Sequence, residues 1–130
     1  MNPAAKDTKD MLVADTGLSL VYGTDLFVSK EPTKPNECVT IFDTPSFPSD
    51  LTLDGESYFR SSIQVRVRTL DYEAGMALAW TIMGSLHGRA NETWNGTLYT
   101  VIKAVGEPTP LYYDENNRLL IITNFNLQRR

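Results

Sequence analysis

One cysteine and one histidine, Cys38 and His87, stand 49 positions apart. Folding can close such a gap, and a thiolate beside an imidazole makes a nucleophile and its base. Neither residue sits in a local signature of such a pair. His87 falls at the end of an expected helix, where a positive side chain suits the dipole. Carboxylates offer a second chemistry. Asp50, Asp54 and Glu56 lie close together, as do Asp114 and Glu115. Neither set alternates as an EF-hand loop does, and calcium needs roughly 6–8 oxygen ligands, so both read as solvated turn residues. Asn91-Glu92-Thr93 and Asn95-Gly96-Thr97 match the N-glycosylation pattern, but Asn-Gly between two β-prone runs is also a type I′ hairpin signal. The chain has no glycine-rich phosphate loop, no dinucleotide fingerprint, no His-Glu-x-x-His and no Gly-x-Ser-x-Gly. The expectation is a protein without catalytic residues, cofactor or metal.

Arg60, Arg66 and Arg68 form a second candidate group, the last two on one face of a strand. No aromatic residue alternates with them as a base-stacking platform requires. They read as a solvated or ion-paired sheet face, or as inter-subunit ion pairs in which Arg66 and Arg68 meet acids of a neighbouring copy. The charge distribution suits the latter. Net charge is −4; residues 1–57 carry four bases against ten acids, and residues 58–130 eight bases against six acids. An acidic chain without a basic run is poorly built to grip nucleic acid through its phosphates.

The elements that must position these residues follow from periodicity and punctuation. The 130 residues, 42% hydrophobic and 22% charged, suit one globular domain over residues 1–130 with its own core. A single cysteine allows neither an internal disulfide nor a Cys-based zinc site. The N-terminus lacks the apolar core of a signal peptide, and no apolar run approaches a membrane span; a cytosolic, non-membrane protein is expected. A helix is predicted over residues 4–15, between Pro3 and Gly17. Leu26 to Val28 and Val39 to Phe42 read as short strands. Residues 58–69 are the clearest strand, since Ile63, Val65 and Val67 alternate with Gln64, Arg66 and Arg68. Leu98 to Val105 and Leu119 to Leu127 read as further strands, and Pro108 and Pro110 open a loop. Residues 43–57, with two prolines and a glycine, are expected to form another loop. A polar loop has no need of Phe47, Leu51 and Leu53; they either tuck under the domain or dock on a neighbour.

A second helix is predicted from Asp71, a good N-cap, to His87. At 100° per residue Tyr72, Met76, Ala79, Met83 and Leu86 share a narrow arc, the expected core face. The opposite side holds Glu73, Ala74, Ala77, Thr81, Gly84 and Ser85, and no charge occurs between Glu73 and Arg89. An outward helix face normally carries charges. This one is either buried within the domain or, the reading preferred here, a subunit interface formed by Ala74, Ala77, Thr81, Gly84 and Ser85. The fold class is α+β, a single domain with a small, mostly antiparallel sheet, an N-terminal helix and one long helix packed on it.

Several stretches resemble a family of tailed-bacteriophage minor capsid proteins related to tail terminators. They are Asp25-Leu26-Phe27-Val28, Asn36-Glu37-Cys38-Val39-Thr40-Ile41-Phe42-Asp43-Thr44, and Ser62-Ile63-Gln64-Val65-Arg66-Val67-Arg68 with the helix through Leu86-His87-Gly88. Pro110-Leu111 to Asp114-Glu115-Asn116 completes the set. The resemblance covers most of the chain beyond residue 24. It implies helices packed on a small sheet and a structural role in the virion after synthesis in the host cytoplasm. Six copies would form a ring that caps the tail tube at the neck, meets the head-completion or connector protein, and lets DNA pass without sequence-specific binding. A head–tail joining or minor capsid protein is the alternative within that class, and a small phage-encoded hydrolytic enzyme the alternative outside it.

Overall fold

The computed structural model describes residues 1–51 and 57–130, with only the backbone of residues 50, 51 and 57. Two helices and seven strands follow one another as α1 (Ala4–Ala14), β1 (Leu26–Val28), β2 (Cys38–Leu51), β3 (Ser57–Thr69), α2 (Tyr72–Leu86), β4 (Ala90–Trp94), β5 (Thr97–Ala104), β6 (Thr109–Tyr113) and β7 (Leu119–Arg129). The sheet runs β1-β2-β3-β7-β5-β4, and β6 also pairs with β7. It is mixed: β1 lies parallel to β2, and the other pairs are antiparallel. It is also larger than the small sheet expected from sequence.

Strand alternation decides which face is covered. Val39, Ile41, Ile63, Val65, Val67, Ile121, Phe125 and Leu127 are buried and, by their cross-strand pairing, point to the side on which both helices lie. The opposite face carries Ser62, Gln64, Asn124 and Asn126. There Ser62 Oγ donates to Asn126 Oδ1 at 3.0 Å and Gln64 Nε2 to Asn124 Oδ1 at 3.2 Å. These are cross-strand pairs on a solvent-facing surface.

Of the expected loop over residues 43–57, residues 43–51 and 57 are strand, and residues 52–56 lie outside the described residues. β2 continues to Leu51 and forms, with the start of β3, a hairpin arm that extends past the last β3–β7 pair, Phe59 opposite Arg129. Prolines are excluded from regular ladders because they lack an N–H, but bulges admit them. Register shifts fall between Thr44 and Phe47 and between Phe47 and Asp50, the intervals that hold Pro45 and Pro48. The second expected loop is likewise partly a strand: β6 contains Pro110 and borders only β7 among the described strands, a place where proline is tolerated. β5 and β6 run along the same edge of β7, β5 opposite residues 125–129 and β6 opposite residues 119–122.

In α2 the buried stripe is Gly75, Ala79, Ile82 and Leu86, rotated from the expected one. Tyr72 is 53% exposed, and Met76 and Met83 flank the core half-buried. The cause is Gly75, whose missing side chain lets the helix settle onto the sheet: a Cβ there would lie 2.9 Å from Thr69 Cβ, 3.0 Å from Ile121 Cδ1 and closer still to Thr69 Cγ2. Thr69 cannot give way cheaply. It is buried, and its hydroxyl donates to the Asp71 carbonyl and accepts from the Asp71 N–H. Gly75→Ala should therefore destabilise the fold by about 1–3 kcal/mol through overpacking, although alanine is the better helix former by about 1 kcal/mol. The check is a urea midpoint that falls at unchanged slope; a raised midpoint would show that the helix has room to move.

Candidate interaction surfaces

The groups that suggested chemistry are kept apart. Cys38 is buried in the row of Arg68 and Leu120, on the face away from the helices. His87 lies on the helix side, its Nδ1 accepting from the Ala104 N–H at 3.0 Å, in the row of Phe125 and Ile63. Burial pushes the Cys38 thiol above its ordinary value, the reverse of what a nucleophilic cysteine needs. Among the described residues no group of three or more His, Cys, Asp or Glu could hold a metal ion. No described helix is long and apolar enough to cross a membrane. Asp114 closes the β6–β7 turn. It accepts from the Arg118 and Asn116 backbone N–H groups and from Arg118 Nε, each at 2.9 Å, and these bonds, the Arg118 N–H first, hold its carboxyl below the usual range. Asn95 and Gly96 take positive φ, 50° and 80°, as a type I′ turn requires. Asp54 and Glu56 lie outside the described residues.

Arg66 and Arg68 find an acid, Glu31, within the chain, as in an ion-paired sheet face. Arg68 is 2% exposed; its Nη1 lies 3.4 Å from Glu31 Oε1, and its remaining nitrogens donate to the Pro35 and Asn36 carbonyls. Arg66 reaches Glu31 Oε2 at 3.9 Å and stacks over Phe42. Arg118, also buried, donates to the Thr33 carbonyl. Together Arg68 and Arg118 anchor the connection between the parallel strands β1 and β2.

The helix face singled out by its lack of charge is open in the isolated chain. Ala74, Ala77, Thr81 and Gly84 are exposed and Ser85 is half-buried; a Cβ at Gly84 would meet nothing within 4 Å. The Thr81 hydroxyl turns back to the Ala77 carbonyl at 2.9 Å, leaving its methyl outward. Trp80, on the same helix, is 43% exposed. The surface can accept close backbone approach and apolar contact, and it offers no ionic partner. Phe47 is 57% exposed on the arm, beside Arg60, Lys103, Asn126 and Gln128 on the sheet face away from the helices. Leu51 belongs to β2, and Leu53 lies outside the described residues.

Two features escaped sequence reasoning. Leu111, Tyr112 and Tyr113 on β6 are about half exposed or more; the only signal was an apolar triplet after Pro110. Asp7, on α1, is fully buried and accepts from Tyr99 Oη, from Asn95 Nδ2 at 2.8 Å and from Asn2 Nδ2 at 3.4 Å. Burial, then the Asp7 carboxylate, raises the Tyr99 phenol above its ordinary value, so it stays a donor. Nothing local in the sequence foretells a bond between residues 92 positions apart.

Over nearly its whole length the chain is similar in fold to a chain of a solved structure, the virion of a native gene transfer agent particle. The TM-score is 0.68 at 14% identity, covering 98% of this chain and 94% of that one. A search of curated protein sequences finds no match. Residues 13–130 match the family described as bacteriophage tail terminator protein, a structural family and not an enzyme family. The chain belongs to the bacteriophage tail terminator family.

Proposed function

We propose that this protein acts at the neck of a phage tail, where six copies close a ring that caps the tail tube and meets the head-completion or connector protein. Synthesis takes place in the host cytoplasm, and DNA passes through the ring without sequence-specific contact. The observation that carries the reading is the uncharged outer face of α2. A solvent-facing helix of 15 residues with Ala74, Ala77, Thr81 and Gly84 outermost gives a neighbouring subunit room for its backbone. It makes sense as a surface that is covered in the assembly. A ring is a heterologous arrangement in which one patch meets a different one. The chain supplies candidates for the second patch in the arm, with Phe47 exposed, and in the aromatic row of β6.

Placing a charge on the α2 face separates folding from assembly. In Thr81→Arg the free protein should keep its stability within about 0.5 kcal/mol, as exposed substitutions do. Burial of the new guanidinium without a partner costs on the order of 3–5 kcal/mol at each contact. Tails assembled with this variant should be uncapped, of uncontrolled length and unjoined to heads by electron microscopy. Joined particles at the parent yield would mean that α2 faces solvent in the virion. Phe47→Asp should leave thermal unfolding unchanged while lowering the yield of joined particles; an undiminished yield would remove the arm from the contact set.

A further inference from the structure

β3, β7 and β5 lie side by side in the sheet, and none of their residues is Asp or Glu, although the chain holds 16 such acids. On the face away from the helices these strands carry Arg60, Arg66 and Lys103. Arg66 shares the Glu31 carboxylate with buried Arg68. Glu107 borders the face beside Asn124 and Ile122, at the end away from Arg60. The other end is cationic: Arg60 and Lys103 are exposed there, around Asn126 and Gln128. The hydrogen bonds of the face add to this. Arg66 Nη2 donates to Gln64 Oε1 at 3.2 Å, Gln64 Nε2 to Asn124 Oδ1, and Ser62 Oγ to Asn126 Oδ1. The oxygens of these three amides thus accept from within the row, while Asn124 and Asn126, both exposed, keep their N–H groups as donors. Cations and amide donors, with no carboxylate between them, complement phosphate oxygens.

We propose that this sheet face is a weak, sequence-independent contact surface for duplex DNA, centred on Lys103, Asn126 and Arg60. That it is also the face turned to the DNA path in a ring rests on the function proposed above. Acids of a second copy are the rival occupant. A subunit contact is built round an apolar centre, and the centre of this face is Ser62, Gln64, Asn124 and Asn126; the exposed Trp80 and the β6 triplet lie elsewhere. Contacts to phosphate carry no base information, and the cations are few against a duplex that bears one charge per ~1.7 Å. Such a surface touches DNA without holding it, which is what passage requires.

Fluorescence anisotropy of the free protein with a labelled duplex of about 20 base pairs, over roughly 20–200 mM salt, tests the contact. Binding should be equal for two unrelated sequences and fall as salt rises. Lys103→Gln should weaken it for both sequences and shrink the slope of log affinity against log salt by about 1. Lys6→Gln, at an exposed position of α1, should leave affinity and slope at the parent values; both variants should unfold thermally as the parent does. Absence of binding at the lowest salt would overturn the proposal, as would a loss in Lys6→Gln with none in Lys103→Gln. Self-association that Lys103→Gln abolishes, without DNA binding, would give the face to a second copy. Rings on tails without DNA binding would sink this inference alone, and DNA binding without rings would sink the ring reading alone.

Discussion

Eleven consecutive residue pairs, from Phe59 opposite Arg129 to Thr69 opposite Leu119, join β3 to β7 without a register shift. Because side chains alternate, a slip of β7 by one residue here would turn Ile121, Phe125 and Leu127 to the polar face and bring Asn124 and Asn126 under the helices. The remaining structure is referred to this ladder. α2 reverses directly from the end of β3 and rests on it, Gly75 against Thr69 and Ile121. β2 zips along the other edge of β3, and β5 and β6 share the far edge of β7.

How much of this was legible depends on whether the deciding partner is near in sequence. β3 could be read because its alternation is complete within a few residues, and α2 because Asp71 caps it, its side chain accepting from the Glu73 N–H. The rotation of α2 could not be read, since Gly75 carries no apolar signal and its importance lies in what a side chain would strike. Pro45, Pro48 and Pro110 read as loop signals because the bulges and the edge position that accommodate them are properties of the sheet. For the interaction surfaces, the missing charges on α2 were visible as a pattern. Solvent exposure of Tyr112 and Tyr113 was not, because an apolar residue in a β-prone run is ordinarily assigned to the core.

Charged groups buried in the fold are used to hold segments that have little apolar material of their own. Arg68 and Arg118 gather the carbonyls of residues 33, 35 and 36, and Asp7 gathers donors from the N-terminus, the β4–β5 turn and β5. A buried ion left without partners is costly, and each of these is satisfied by several hydrogen bonds. The acidic total of the chain thus understates how firmly individual charges are committed inside it.

The β6 strand has a consequence for the protein before it joins a particle. An exposed strand with Leu111, Tyr112 and Tyr113 outward is the kind of edge on which newly made chains stack into aggregates. Here Pro110 contributes no N–H, Pro108 stands just before the strand, and the register shift between Pro110 and Tyr112 breaks the even row of donors and acceptors that an incoming strand would need. The aromatic rings are open to a shaped neighbour, but the backbone is a poor template for another strand. An unassembled subunit therefore presents aromatic side chains at this strand without presenting a regular ladder edge beside them.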